Sequence, residues 1–312
     1  FLTGDAVYRD DNAQWRLGDR AYGGSIGIRY GEHSSQIGLL TSLRNQTDRT
    51  DYLYPESERT KLEVMVIDIF WRHQLYQGAV EVQWEGEIAT IAGHTDRPYL
   101  EETYENGARV QSLGGATSIS GLWQQNLLQL EVGYASGDND PTDRVIRNFA
   151  FHSSYGMGLI FIDQVMPALS DRAVDRVNDP SLIDVTPPSL RFLVNQGGFQ
   201  GSGYVSPTAE IDLPWGLNLR TTYFYFAGGP ALVDIYQSNL NGGYNTSYGG
   251  QVATGASIGH EVNFRLGYTW SNDDTGQIRL HAESGVFLPG PALDGVIDSP
   301  IYALQLTTLV EI

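Results

Sequence analysis

The sequence of 312 residues contains no cysteine, which excludes disulfide bonds, thiolate metal sites and cysteine nucleophiles. Lys61 is its single lysine, and the formal net charge is −18. So acidic a chain argues against nucleic acid as a partner, because phosphate binding needs a basic face. Long apolar runs are missing too, since no stretch approaches the ~18 consecutive apolar residues of a transmembrane helix.

What the chain has instead is glycine and tyrosine, 36 and 18 residues, as in a turn-rich, aromatic-rich all-β protein. Apolar and polar residues alternate with a period of two in many short segments. The clearest of these segments are 80–88, 128–134, 217–225, 262–270, 278–286 and 302–312. Successive Cβ atoms of a strand point to opposite faces, so this period predicts strands and not helices.

One segment, between Lys61 and His73, departs from the simple alternation. Its apolar residues fall on both faces: Leu62, Val64 and Val66 on one, and Ile67, Ile69 and Trp71 on the other. A change of phase within a strand is what a β-bulge produces. A strand buried on both faces would give the same pattern.

Short and long connections alternate along the chain. Short turns are expected near 31–34, 77–78, 124–126, 214–216 and 272–275, and long connections near 11–20, 45–60, 93–107, 137–200, 227–256 and 289–300. This alternation predicts an all-β, antiparallel up-and-down transmembrane barrel with short periplasmic turns and long outer loops. The predicted strands, about twelve, are 2–10, 20–31, 34–45, 60–76, 78–92, 108–123, 127–136, 201–213, 216–227, 256–271, 276–288 and 301–312.

The predicted barrel is a single domain over residues 1–312. A water-soluble β-sandwich would also alternate. Three features favour the membrane: strands near the ~9–11 residues that a tilted membrane strand needs, aromatic residues near strand ends, and the alternating loop lengths. We therefore predict a barrel in the bacterial outer membrane, surrounded by its lipid and lipopolysaccharide.

Both ends of the chain resemble a known family. The relevant segments are 258–264 (Ile-Gly-His-Glu-Val-Asn-Phe), 286–293 (Val-Phe-Leu-Pro-Gly-Pro-Ala-Leu) and 2–9 (Leu-Thr-Gly-Asp-Ala-Val-Tyr-Arg). They resemble alginate-export-type outer-membrane porins, with Asn263 where the family usually has Asp and Leu288 where it commonly has an aromatic residue. The resemblance implies a passive outer-membrane pore, but it does not transfer the substrate.

The residues predicted to line the pore carry both signs of charge. They are Arg29, Arg44, Glu81, Glu85, Glu87, Glu131, Arg220, Arg265, Arg279, His281 and Glu283. Glu63, Glu210, Asp212 and Glu311 are assigned to the same inward face, so acid outnumbers base there and alginate is a poor cargo. Glu81, Glu85 and Glu87 either form an acidic wall that attracts cations or are polar lining with arginine partners on adjacent strands.

The connection 137–200 is far longer than an ordinary loop. It carries an apolar run formed by Met157, Leu159, Ile160, Phe161 and Ile162, followed by a helix-like stretch at 168–177. So apolar a segment is poorly suited to open water, which predicts a plug or cap folded into the barrel mouth, or a docking site for a partner. An extra hairpin is the alternative, and it would raise the strand count to fourteen.

The sequence also contains candidates for a calcium site and for catalysis. Asp138, Asp140 and Asp143 form a cluster of hard oxygen ligands, which is a candidate calcium site, but Asp-Asn-Asp-Pro is equally the chemistry of a turn. Apart from calcium, no cofactor is expected. The histidines, His281 among them, accompany no recognisable nucleophile motif, so no catalytic residue is assigned and the chain is predicted not to be an enzyme.

The leading functional prediction is an outer-membrane pore, constricted by the long connection, that passes small hydrophilic solutes or an exported polymer. A sealed barrel that anchors a multiprotein envelope complex is the alternative, because a plugged barrel of about twelve strands leaves little room. A lipid-modifying barrel enzyme is the third. Possible partners are envelope proteins.

Overall fold

The computed structural model describes residues 20–32, 34–49, 59–95, 107–137, 144–151, 155–166, 168, 199, 201–228, 257–272 and 276–311. Almost all of their regular structure is strand. The strands are β1 (Arg20–Glu32), β2 (Ser35–Arg49), β3 (Arg59–Gln77), β4 (Val80–Thr95), β5 (Ala108–Trp123), β6 (Asn126–Ala135), β7 (Val145–Ile146), β8 (Ser202–Leu213), β9 (Leu217–Ala227), β10 (Gly259–Asn272), β11 (Gly276–Pro289) and β12 (Ile301–Glu311). Short helical turns occur at Phe161–Val165, Pro214–Gly216 and Pro291–Leu293.

All twelve strands belong to one sheet in which every long strand pairs with the next long strand of the chain, antiparallel. The two-residue β7 lies off this path and pairs parallel with β5, Val145 opposite Arg109. The described meander therefore consists of eleven long strands, which match the predicted segments from 20–31 to 301–312. The predicted strand 2–10 lies outside the described residues. The prediction of an all-β, antiparallel up-and-down fold is confirmed.

Connection lengths differ between the two ends of the sheet. At one end, successive strands are joined by residues 33–34, 78–79, 124–125, 214–216 and 273–275. At the other end, the connections are 50–58, 96–107, 136–201, 228–258 and 290–300. The predicted alternation of short turns and long connections is confirmed. We call the two ends the short-turn end and the long-loop end.

One face of the sheet exposes large apolar side chains along nearly its whole width. On β12, for example, Tyr302, Leu304 and Leu306 are each about three-quarters exposed, at 75%, 74% and 76%. A continuous apolar surface of this extent is unfavourable in water. It is the surface that a membrane-spanning β-barrel presents to lipid, with lipid-facing and lumen-facing residues alternating along each strand. The chain has this architecture.

Aromatic residues on the same face gather near the short-turn end. Tyr30, Trp123, Trp215 and Trp270 are all exposed there, close to the ends of β1, β5, β8 and β10. Tryptophan and tyrosine prefer the boundary between lipid and water, because their rings are apolar and their N–H or O–H groups are polar. The predicted interfacial placement of aromatic residues is seen at this end.

The opposite face, which we call the inner face, carries the buried core, and this core lies at the long-loop end. It combines strand residues with residues of the long connection 136–201, and its largest fully buried side chains include Phe149, Phe161, Phe199, Phe226 and Phe287. Several phenylalanine rings of this cluster have centroids 4.6–6.4 Å apart. Among the described residues, no helix is long and apolar enough to cross a membrane.

The core explains the irregular pattern of β3. This strand pairs residue for residue with both β2 and β4, which excludes the bulge, one of the two alternatives for this segment. Val64 and Val66 lie on the inner face and pack against the core, while Ile69 lies on the outward face and is exposed. In its middle, β3 is apolar on both faces because one face meets protein and the other faces lipid.

Candidate functional site

The inner face contains every residue predicted to line the pore. Alternation along the paired strands puts all of them opposite the exposed apolar face: Arg29, Arg44, Glu81, Glu85, Glu87, Glu131, Arg220, Arg265, Arg279, His281 and Glu283. Arg265, for instance, lies opposite Arg220 on β9 and Glu283 on β11. Their role in lining a pore stays a prediction.

Glu63 was assigned to the inner face, and this assignment is wrong. It lies opposite Asn45 on the outward face, where its carboxylate accepts a hydrogen bond from the Asn45 side chain at 3.0 Å. Its neighbours Leu62 and Val64 occupy the inner face. The inner face of β3 is apolar here, where a polar lumen was expected, so alternation assigned Glu63 to the wrong face.

Near the short-turn end, the inner face forms an open polar cavity of about 390 Å³. Its lining residues are Glu210, Asp212, Asn218, Arg265, Gly267, Thr269, Arg279 and His281, and we call it the vestibule. Glu210 is its electrostatic centre: its carboxylate lies 3.3 Å from Arg265 and 3.6 Å from Arg220. The Arg265 guanidinium also lies 3.9 Å from the Glu283 carboxylate. Acidic and basic side chains therefore meet across the four neighbouring strands β8 to β11 of one wall.

The acidic residues of β4 have partners on the neighbouring strand β3. The Arg72 Nε donates a hydrogen bond to Glu85 at 3.0 Å, and the Gln74 amide donates one to Glu81. Gln83 also donates to Glu85, at 2.8 Å. Glu85 therefore has an arginine partner on the adjacent strand, as the polar-lining alternative expects, whereas the partner of Glu81 is an amide. The side chains of Glu81 and Glu85 remain partly exposed on the inner face.

At the long-loop end, residues 155–166, which we call the inserted segment, pack onto the inner face. Met157, Ile160, Phe161 and Ile162 are buried, and Leu159 is half-buried. The Phe161 ring stacks on Phe287 of β11 at 5.1 Å and lies 4.6 Å from Phe226 of β9. The apolar run is therefore in contact with the barrel wall. The helical turn of this region begins at Phe161, earlier than the predicted stretch 168–177, of which only Ala168 is described.

Glu261 of β10 meets the inserted segment directly, and its side chain has no exposure to solvent. The carboxylate accepts backbone N–H bonds from Leu159 at 2.6 Å, Ile160 at 3.0 Å and Phe161 at 2.8 Å. The Asn263 side chain donates a fourth hydrogen bond at 2.8 Å. Partial burial and the negative charge of Glu261 raise the pKa of Asp163 in the adjacent turn.

A second carboxylate, Glu131 of β6, holds the start of the inserted segment. Its Oε1 accepts hydrogen bonds from the hydroxyls of Tyr155, at 2.8 Å, and Tyr204. The two hydroxyls lie 2.8 Å apart. Burial and the nearby Glu131 charge raise the pKa of Tyr155 above its usual range, so its hydroxyl stays protonated and able to donate.

Sequence reasoning missed the groups that hold the inserted segment. Glu261 and Asn263 were noticed only as parts of a motif, and Gly158, Tyr155 and Tyr204 were not singled out. In the sequence, Glu261 is one of several polar residues on the inner face of β10, so nothing local marked it as buried. The partner itself is about a hundred residues away in the chain, and local periodicity does not reach that far.

The predicted calcium ligands and His281 add little to the description of the site. Asp138, Asp140 and Asp143, the candidate calcium ligands, lie outside the described residues. In the part of the chain that the structure describes, no group of three or more His, Asp or Glu side chains is arranged to hold a metal ion. His281 lies on the vestibule wall with Arg279.

No family model and no curated protein matches the chain. Among solved structures, it is similar to the outer membrane protein OprD from Pseudomonas aeruginosa, at 10% sequence identity and a TM-score of 0.41, covering 91% of this chain and 68% of that one. It is also similar to CdiB from Escherichia coli, at 12% identity and a TM-score of 0.37, covering 93% of this chain but only 47% of CdiB. The assignment as a membrane-spanning barrel rests on the chain's own strand pairing and outward apolar face.

Proposed function

We propose that this chain is an outer-membrane channel for small hydrophilic solutes or an exported polymer, narrowed at one end by the inserted segment. The observation that carries the proposal is the contrast between the two faces of the sheet. The outward face is apolar and exposed, while the inner face near the short-turn end is charged and open to solvent. A wall with lipid on one side and water on the other is what a channel requires.

The chain lies in the bacterial outer membrane, with its long-loop end outside and its short-turn end in the periplasm. This orientation follows from the rule that such barrels have short periplasmic turns and longer external loops. The vestibule then opens to the periplasm, and the inserted segment occupies the external mouth. Lipid and lipopolysaccharide are the molecules that its apolar face contacts.

The inner face favours cations over anions. Among its described residues that are not buried, carboxylates outnumber arginines: Glu81, Glu85, Glu87, Glu131, Glu210, Asp212 and Glu283 against Arg29, Arg44, Arg72, Arg220, Arg265 and Arg279. A lumen of net negative charge concentrates cations and repels anions. The resemblance to alginate-export porins supports a passive pore, while this charge balance argues against a polyuronate as the cargo.

Single-channel conductance in a planar bilayer tests the proposal. The intact protein should conduct weakly or intermittently, and a form lacking residues 138–199 should conduct steadily and more strongly. Silence from both forms, with folding verified by heat-modifiable migration in gels, would refute the channel.

The second candidate is a sealed barrel that anchors an envelope complex. The observation that favours it is the solvent-free packing of Phe149, Phe161, Phe199 and Phe226 across the long-loop end. Silent bilayers together with co-purification of a defined envelope protein would support it. Neither function uses catalysis, and we propose no enzymatic role.

A further inference from the structure

We infer that Glu261 is the positioning residue of the inserted segment, the carboxylate of the barrel wall whose contacts hold residues 158–161 across the external mouth. The inference deepens the proposed channel function and rests on it, since holding the segment matters for transport only if the barrel conducts. It goes beyond that function in naming the group that decides whether the mouth is closed.

The acceptor sites of the Glu261 carboxylate match the backbone N–H donors of the inserted segment. Leu159 and Ile160 donate to Oε1, and Phe161 donates to Oε2. These amides precede or begin the turn Phe161–Val165, so they are among the N–H groups that a helical start leaves without an internal partner. An ionised carboxylate has about four acceptor sites and no donor, so it can accept all three amides and the Asn263 amide as well. A neutral glutamine in its place would turn one donor towards them.

The inserted segment is shaped to approach this carboxylate. Gly158 has φ +74, a conformation that side chains other than glycine rarely adopt. A Cβ at this position would lie 2.6 Å from Oε1 of Glu261 and 2.9 Å from its Cδ. Glycine therefore permits both the backbone turn and the close contact, and the two sides of the interaction fit each other.

The hydrogen bonds between Glu261 and the inserted segment are expected to break together. Glu261 is fully buried, and the four hydrogen bonds that it accepts from described residues all come from uncharged N–H groups. A buried carboxylate and buried amides are both costly without their partners. If the segment leaves, water must hydrate both sides at once, so a partly released state is disfavoured. The external mouth is then either closed and dry or open and wet.

The absence of cysteine makes this inference testable by labelling. A single cysteine at Ile162, whose side chain is 4% exposed, reports on the inserted segment alone. The rate at which a water-soluble maleimide labels Ile162→Cys is measured in protein reconstituted into vesicles, with and without Glu261→Gln. We expect the rate to rise about tenfold or more, the size expected for losing a charge-assisted hydrogen bond.

Two further variants make the result specific. Gly158→Ala leaves every barrel strand unchanged and should raise the labelling rate in the same way, so it decides the matter even if Glu261→Gln folds poorly. Glu63→Gln removes a carboxylate from the outward face, away from the segment, and should leave the labelling rate of Ile162→Cys unaltered.

The outcomes separate this inference from the channel proposal. Unchanged labelling in both Glu261→Gln and Gly158→Ala, with folding intact, overturns the role of Glu261 whether or not the barrel conducts. Faster labelling with silent bilayers supports that role and refutes the channel. Faster labelling together with a higher conductance or a longer open time supports both.

Discussion

At the scale of single residues, the inner face is organised by carboxylates that each meet a different kind of donor. Glu261 accepts backbone amides, Glu131 accepts tyrosine hydroxyls, and Glu85 accepts the guanidinium of Arg72. Burial follows the same order, from no exposure at Glu261 to a partly exposed pair at Glu85. Exposed ion pairs contribute little to stability, so the hydrogen bonds that Glu261 and Glu131 accept should stabilise the fold more than the vestibule ion pairs do.

Asn263 provides a residue-scale prediction. Its side-chain amide donates to the buried Glu261 carboxylate at 2.8 Å, which an ionised aspartate cannot do. Asn263→Asp should therefore place two negative charges side by side and speed maleimide labelling of Ile162→Cys. Asn218→Asp is the matched control, because Asn218 donates to Asp212 in the same way, at 2.6 Å, but in the open vestibule. Equal labelling rates for the two variants would show that the Asn263 donor does not support the segment.

At the scale of strands, alternation carried most of the prediction. Each strand has one face in lipid and one in the lumen, so a period of two marks its place and its orientation, as in β11 and β12. Alternation failed on β3, because Leu62 and Val64 meet a protein core where a polar lumen was expected. It also could not find the contact between Glu261 and residues 159–161, since that contact is made by a folded connection and has no periodicity.

The outward face of β12 gives a strand-scale prediction. Leu306 lies at the centre of this strand and is 76% exposed. Leu306→Arg should destabilise the protein folded in lipid vesicles by about 2–4 kcal/mol, because it puts a charge at the bilayer centre. Gln305→Arg, one residue away on the inner face, should change it by less than about 1 kcal/mol. Similar losses for both variants would mean that β12 does not separate lipid from lumen.

At the scale of the whole molecule, the barrel has two unlike halves. The long-loop half is filled by an aromatic core and by carboxylates with uncharged donors, and the short-turn half is a polar vestibule with ion pairs. A solute entering from the periplasm would meet charge first and the inserted segment last. In the proposed channel, the open half would set ion selectivity and the filled half would set access to the exterior, so the two properties should respond to different substitutions.

Glu85 tests this separation. Glu85→Arg turns its 3.0 Å pair with Arg72 into two like charges on the inner face, so the reversal potential in a salt gradient should shift towards anions. The labelling rate of Ile162→Cys should stay the same, because Glu85 belongs to the short-turn half. Glu63→Arg makes the same change of charge on the outward face and should shift the potential far less. The shift should shrink in concentrated salt, where the screening length falls from about 10 Å at 0.1 M to about 3 Å at 1 M. Equal shifts in both variants would place Glu85 outside the conduction path.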